Sequence, residues 1–453
     1  DTDDLHVYDS GDTAGGVGTL RAADITGFGI QTAIRYANME RLELLLGRGA
    51  DTLFVEATHA APVDISTGLG DDTVVVELIA GRTTIDAGGD DDTILVNYER
   101  RTPTELDAIQ TNRNGIGAAL DLDGGEGADT YDIGLAGAGS SIINVFDTGV
   151  SGIDDLLVRG TNAADFFLLR ANTSTPGIRP HGMVAAIQVD ANRVPVPNGS
   201  IERVNYDGAI DGRFVIFGRE GDDTFVLDDN LARTVIFGDA GNDTFQVGQV
   251  FASPRDERNP GSGLAPIDFF ETTATTRGYL SNGISKEATL FGGFGNDSFT
   301  IYHNTKELFL FGDEDDDNFR IRAFVRVNPN DPDAPFTNVN GGQGADFIAF
   351  TVNAPVRIEG GDGFDTVTVI GTEFGDDFMI TGRGVFGAGL FITYNGIEKV
   401  VVDALEGNDR FFIANTNESI ALELVGGRGS DTVNLGGGND GKASTVVANS
   451  LTG

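Results

Sequence analysis

The chain has no cysteine in its 453 residues. That excludes disulfides, thiolate metal sites and a cysteine nucleophile, and it suits an extracellular protein stabilised by ions. Lysine is almost as scarce. Of 30 basic residues only Lys286, Lys306, Lys399 and Lys442 are lysine, against 70 acidic residues and a net charge of -40. A chain this acidic is a poor partner for nucleic acid or an anionic membrane. No run of eighteen apolar residues occurs, so no membrane insertion is expected. His6, His59, His181 and His303 are scattered without the spacing of a zinc centre. No P-loop or nucleophile elbow is present, and carboxylate pairs are too abundant here to mark a glycosidase. The chain opens Asp1-Thr2-Asp3-Asp4, which is no signal peptide and reads as the start of a mature or excised segment.

What the chain has in excess is glycine, 64 residues, and aspartate, and the two obey one grammar. Its clearest copy is Gly292-Gly293-Phe294-Gly295-Asn296-Asp297, followed by Ser298 and an apolar Phe299. Full copies recur at 124–129 (GGEGAD), 341–346 (GGQGAD), 360–365 (GGDGFD) and 426–431 (GGRGSD), and looser ones end in Asp51, Asp72, Asp92, Asp223, Asp243, Asp317 and Asp409. Two residues after each of these aspartates stands an apolar side chain: Leu53, Val74, Ile94, Tyr131, Phe225, Phe245, Phe299, Phe319, Ile348, Val367, Phe411 or Val433. The glycines permit positive φ and close backbone approach. The aspartate offers a hard anionic oxygen and the turn carbonyls neutral ones, a donor set suited to calcium. The apolar residue starts a strand and points inward. Stacked in successive coils about 4.8 Å apart, such aspartates repel by roughly 3 kcal/mol per pair at an effective dielectric near 20. A column of them needs cations.

The motif resembles the RTX, or haemolysin-type, calcium-binding repeat GGxGxDxUx of secreted bacterial proteins. The nearest match is Gly426-Gly427-Arg428-Gly429-Ser430-Asp431-Thr432-Val433-Asn434, running on to Gly436-Gly437-Gly438-Asn439-Asp440, where Asp431 and Asp440 are nine residues apart. Six other steps span 19 to 22 residues, as from Asp72 to Asp92 and from Asp346 to Asp365. That spacing fits one Gly/Asp turn per coil of about twenty residues, with the opposite turn degenerate. The resemblance implies calcium as the bound ion, with Asp51, Asp72, Asp92, Asp129, Asp223, Asp243, Asp297, Asp317, Asp346, Asp365, Asp409, Asp431 and Asp440 as its ligands. It also implies a secreted chain that stays unfolded in a low-calcium cytosol and folds outside. In Asp313-Glu314-Asp315-Asp316-Asp317, Asp315 replaces the third glycine of the motif, which enriches a calcium site or marks a solvated turn. Asp222, Asn242, Asn296, Asp316, Asn408 and Asn439 precede the motif aspartate and serve either as helpers or as turn formers.

A longer repeat overlies the short one. Asp4-Leu5-His6-Val7-Tyr8 returns as Asp155-Leu156-Leu157-Val158 and as Asp365-Thr366-Val367-Thr368-Val369. Each copy is followed by Glu40-Arg41-Leu42, Glu202-Arg203-Val204 or Glu398-Lys399-Val400. Three modules are expected, at 1–150, 151–362 and 363–453, the last truncated. By propensity alone 37–46 would pass for a helix, but its counterparts are β-branched, so all three are expected to be strands. Four polar or proline-bearing stretches, 100–117, 171–199, 253–288 and 326–340, break the period and map to loops. The expected fold is all-β, a right-handed parallel β-solenoid (β-roll or β-helix) of roughly twenty-residue coils with loop insertions.

The expected function is that of a non-enzymatic, extracellular calcium-binding scaffold, adhesin stalk or fibre subunit at the cell surface. Its expected partners are calcium ions, copies of itself end to end or neighbouring tandem modules, and surface polysaccharide. Two alternatives stay open. One is a β-helix polysaccharide lyase or epimerase, for which a groove joining His181 and Arg179 to acids would speak. The other is a carbohydrate-binding module, hinted at by the threonines that follow the aspartates, Thr52, Thr73, Thr93, Thr130, Thr224, Thr244, Thr366 and Thr432.

Overall fold

The computed structural model describes residues 3–100, 108–111, 113–137, 139–190, 192, 194–322, 336–351, 356–387, 390–415, 419–436 and 446–448. Among these residues the only helical turns are the 3-10 segments Pro260–Ser262 and Pro266–Asp268, and no helix is long and apolar enough to cross a membrane. The protein is an all-β parallel solenoid. It forms two compact units, one of Asp1–Glu220, Asn230–Val235 and Pro266–Asp268, the other of Gly221–Asp229, Ile236–Ala265 and Phe269–Gly453.

In each unit a coil gives one strand to each of two parallel ladders. In the first unit Arg41–Leu45, Val63–Leu69, Thr83–Gly89 and Leu120–Glu126 pair in one ladder. Thr52–Val55, Thr73–Val76, Thr93–Val96, Thr130–Gly134 and Asp155–Arg159 pair in the other. Register follows the repeat: Thr73 lies opposite Thr93 and Val74 opposite Ile94. In the second unit Thr244–Val247, Ser298–Ile301, Asn318–Ile321, Phe347–Thr351 and Thr366–Ile370 form one ladder. Ala288–Phe294, Leu308–Asp313, Thr337–Gly344 and Val356–Gly363 form the other.

The apolar residue after each motif aspartate is the core. Phe225, Phe245, Phe299 and Phe319 are fully buried and stack face to face at 5.0, 4.6 and 4.7 Å, the spacing of hydrogen-bonded strands. Val433 is 37% exposed, because Thr432–Leu435 pairs with Arg410–Ile413 and with no further described strand. The segments set against helix propensity are strands, Arg41–Leu45, Ile201–Tyr206 and Lys399–Asp403. Each pairs with neighbours separated by twenty or more residues, and that burial overrides local preference.

Each sequence module also holds an antiparallel excursion. Its strands are Val17–Arg21, Asp24–Gly27 and Ile30–Arg35 in the first, and Phe166–Asn172, His181–Ile187 and Ile201–Tyr206 in the second. In the third they are Asp377–Thr381, Gly384–Gly387 and Leu390–Asn395. The insertion at 253–288 is a folded element: Val250–Phe251, Gly278–Ser281 and Thr272–Thr275 form an antiparallel sheet, with Phe269 and Phe270 buried. In the insertion at 100–117, Tyr98–Arg100 pairs with Ala108–Gln110. Residues 323–335, most of the 326–340 insertion, lie outside the described residues.

Candidate cation-binding corners

The motif aspartates line the corners of successive coils, and each carboxylate is tied to the coil before it. In the first unit the backbone N–H of Asp51 donates to Oδ1 of Asp72 at 2.6 Å, Asp72 to Asp92 at 2.7 Å and Asp92 to Asp129 at 2.8 Å. In the second unit Asp223, Asp243, Asp297, Asp317 and Asp346 donate in the same way to Asp243, Asp297, Asp317, Asp346 and Asp365, at 2.6 to 2.9 Å. A further ladder runs from Asp376 to Asp409 to Asp431. Asp440 lies outside the described residues.

A second row of bonds stitches the corners in the opposite sense. The residue before the aspartate accepts from the following coil: Asn296 N–H donates to Asn242 Oδ1 at 2.9 Å, Asp316 N–H to Asn296 Oδ1 at 3.3 Å, and Ala345 N–H to Asp316 Oδ1 at 2.7 Å. Asp222, Asn242, Asn408 and Asp316 thus act as turn-to-turn acceptors; Asn439 lies outside the described residues. Asp315 holds a positive φ of 73° at the position where the third glycine takes 116° to 146° in the full copies, and its carboxylate accepts from Gly295 N–H at 3.1 Å. Thr73, Thr93, Thr130, Thr244, Thr366 and Thr432 donate their backbone N–H to the previous aspartate's carbonyl, as Thr93 does to Asp72 at 2.9 Å, while Thr52 donates to Gly16.

Sequence reading missed several members. Asp129 N–H donates to Asp154 Oδ1, and Asp154 N–H to Asp211 Oδ1, continuing the first ladder. The signal was present in Gly149-Val150-Ser151-Gly152-Ile153-Asp154, with valine in the second glycine position. Glu398 ends the long ladder of the second unit by accepting from Asp365 N–H. Sequence reading also expected one Gly/Asp turn per coil with a degenerate opposite turn, whereas the second unit carries ladders on both edges. Asp365 sits between Val356–Gly363 and Thr366–Ile370, and Asp409 between Lys399–Asp403 and Arg410–Ile413, so the connection runs from opposite ladders. Asp376 sits between Thr366–Ile370 and Asp377–Thr381, so the coil that has Asp365 at one corner has Asp376 at the other, and the second ladder starts there.

Each ladder spends Oδ1 on a backbone donor and leaves Oδ2 facing inward. At Asp92, Asp129, Asp297, Asp317, Asp346 and Asp365 that oxygen is buried without a hydrogen-bond partner. A Cβ built on Gly312 would fall 1.9 Å from Asp317 Oδ2 and 2.3 Å from the Gly341 carbonyl oxygen. On Gly341 it would fall 2.1 Å from Asp346 Oδ2 and 2.4 Å from the Gly360 oxygen. The first glycine therefore keeps open a cradle in which a carboxylate oxygen and the next coil's carbonyl oxygen meet. An all-oxygen donor set with an unpartnered carboxylate fits a hard cation.

Protons compete for the same oxygens. Burial pushes Asp92, Asp297 and Asp317 up to about 8, Asp129 to about 7, and Asp72 and Asp346 to about 6, and neighbouring column carboxylates reinforce the rise. His181 is buried, its Nδ1 3.0 Å from the Arg179 carbonyl oxygen, and the Arg179 guanidinium pairs with Asp207. No protein-family model matches the chain, and no curated protein matches it.

Proposed function

We propose that the protein is a secreted, RTX-like structural segment whose solenoid is folded and rigidified by calcium at the cell surface, as a scaffold, stalk or fibre subunit. One observation carries this reading: buried carboxylates stand in register on successive coils, and those at Asp129, Asp297, Asp317, Asp346 and Asp365 turn an oxygen toward a glycine. Asp129, Asp297, Asp317, Asp346 and Asp365 would hold the ions at cradles opened by Gly124, Gly292, Gly312, Gly341 and Gly360, and Asp92, where Ala87 stands in the glycine position, would add its carboxylate to the column. Bound calcium would supply the positive charge that converts a self-repelling column into a cross-link, so folding is coupled to the ion outside the cell. The test is far-ultraviolet circular dichroism and thermal unfolding in millimolar calcium and after chelation. Calcium is expected to raise the midpoint strongly, and an unchanged curve sinks the reading. Asp317→Asn separates charge from geometry. It keeps the Oδ1 acceptor for Asp297 N–H and gives the Gly341 carbonyl a donor, so it is expected to stabilise the chelated protein by about 1 kcal/mol and to weaken its response to calcium.

A second reading, binding of acidic polysaccharide, is favoured by a groove of about 430 Å³ in the second unit, lined by Asn338, Arg357, Glu359, Arg383, Thr393 and Asn395. Arg357 lies 3.9 Å over the Phe336 ring and 3.8 Å from Glu307, and the Arg383 side chain has no ion pair among the described residues. Two guanidinium groups on one face of so acidic a chain suit a uronate carboxylate. Arg383→Ala is expected to weaken polyuronate binding about tenfold, measured by calorimetry. Equal affinity for both proteins removes this reading.

A further inference from the structure

One corner of the first unit carries a carboxylate that the repeat does not call for. Asp147 follows the strand Ile142–Val145, and one oxygen each from Asp147, Asp129 and Asp154 lie within 4.8 Å of one another. The three residues are 1%, 2% and 5% exposed. None is in an ion pair among the described residues; the Arg179 guanidinium pairs with Asp207 and reaches only the main-chain oxygen of Asp147, at 3.4 Å.

The surrounding donors do not satisfy these groups. Asp147 Oδ1 accepts from Gly149 N–H at 2.7 Å and its Oδ2 from the Tyr131 hydroxyl at 2.6 Å. Asp154 Oδ1 accepts from Asp129 N–H at 2.9 Å, and Asp129 Oδ1 from Asp92 N–H at 2.8 Å. Asp129 Oδ2 is buried in the cluster with no partner at all. The local sequence is adapted to the extra carboxylate. Of the residues two positions after a motif aspartate, Tyr131 alone bears an oxygen, and because Gly124 N–H donates to that oxygen its own proton is directed to Asp147. A Cβ on Gly149 would fall 1.7 Å from the Gly125 carbonyl oxygen and 3.1 Å from Asp147 Oδ1, so glycine there leaves a main-chain oxygen beside the carboxylates.

We propose that Asp129, Asp147 and Asp154 together hold a single hard divalent cation, so that the corner at Asp129 gathers three carboxylates where the other ladder cradles bring one per coil. The donors are all oxygen, which disfavours soft metals. Three carboxylates are more than the one or two by which magnesium is usually held, which favours calcium. The choice of ion rests on the calcium reading above; the existence of the site does not.

The chain has no tryptophan, so terbium bound as a calcium surrogate to the full chain is sensitised by tyrosine alone. Excitation through tyrosine is expected to give strong terbium emission, displaced by calcium. Asp147→Asn is expected to lower that emission at least tenfold and to remove one ion from the number bound in equilibrium dialysis, while Asp317→Asn leaves the emission in place. Tyr131→Phe, which keeps the ring in the core, is expected to abolish the emission without changing the number bound. It decides the matter where Asp147→Asn does not fold. Emission that survives both substitutions overturns the site. A chain whose circular dichroism ignores chelation but whose emission depends on Tyr131 would remove the ladder reading and leave this site standing.

Discussion

In chelator, the unfolding midpoint is expected to fall steeply as the pH is raised from near 4 toward 8, the reverse of ordinary acid denaturation. The aspartates at issue titrate near 3.9 when unfolded. In the folded chain burial holds Asp72 and Asp346 up to about 6, Asp129 to about 7, and Asp92, Asp297 and Asp317 to about 8. Between those limits the native state binds more protons than the unfolded state, so stability declines with rising pH. A tenfold difference in proton affinity between the folded and unfolded states is worth about 1.4 kcal/mol per group. Even heavily discounted for solvent screening, the sum over these groups rivals the total stability usual for a domain, roughly 5–15 kcal/mol. Calcium should replace the protons and flatten the curve. Thermal unfolding at matched ionic strength, near pH 4 and near pH 8, with and without calcium, checks both arms. A chelated protein equally stable at the two pH values would mean that the ladder carboxylates are not desolvated.

The second large effect is expected at Gly312. A methyl group there would sit 1.9 Å from Asp317 Oδ2 and 2.3 Å from the Gly341 carbonyl oxygen, contacts that side chains do not tolerate. Relief requires the corner to swing outward, which breaks the Asp297 N–H bond to Asp317 and misaligns Phe319 in its stack. Gly312→Ala is therefore expected to cost about 3–5 kcal/mol, in the range of a core truncation, although it lies at a turn. Chemical denaturation measures it. Gly208→Ala, where a Cβ meets nothing within 4 Å, is the control. Equal losses in the two variants would show that backbone entropy, not the cradle, is what glycine supplies.

Much of this architecture was legible because the coil repeat leaves period in the chain. A residue and its ladder partner are related by one coil, so Thr73 faces Thr93 and Phe299 faces Phe319 by counting alone. The apolar residue two after each aspartate marked the core for the same reason: side chains alternate along a strand, and the turn fixes which face comes first. Insertions weaken this signal. Asp243 and Asp297 are 54 residues apart yet directly bonded, because a folded sheet fills the interval.

The sequence by itself determined the solenoid, its coil length, the inward residues and the aspartates at the corners, since each is a local pattern repeated at fixed spacing. Tertiary structure alone decided where each carboxylate points: Oδ1 to the preceding coil's backbone, Oδ2 into a cradle formed with the next coil's carbonyl. It alone decided that a second ladder starts at Asp376 on the other edge, and that Asp147 meets Asp129 and Asp154. The reason is physical. A hydrogen bond or an electrostatic contact forms between neighbours in space, and in a stacked fold those neighbours come from different coils, whose separation along the chain the loops set freely.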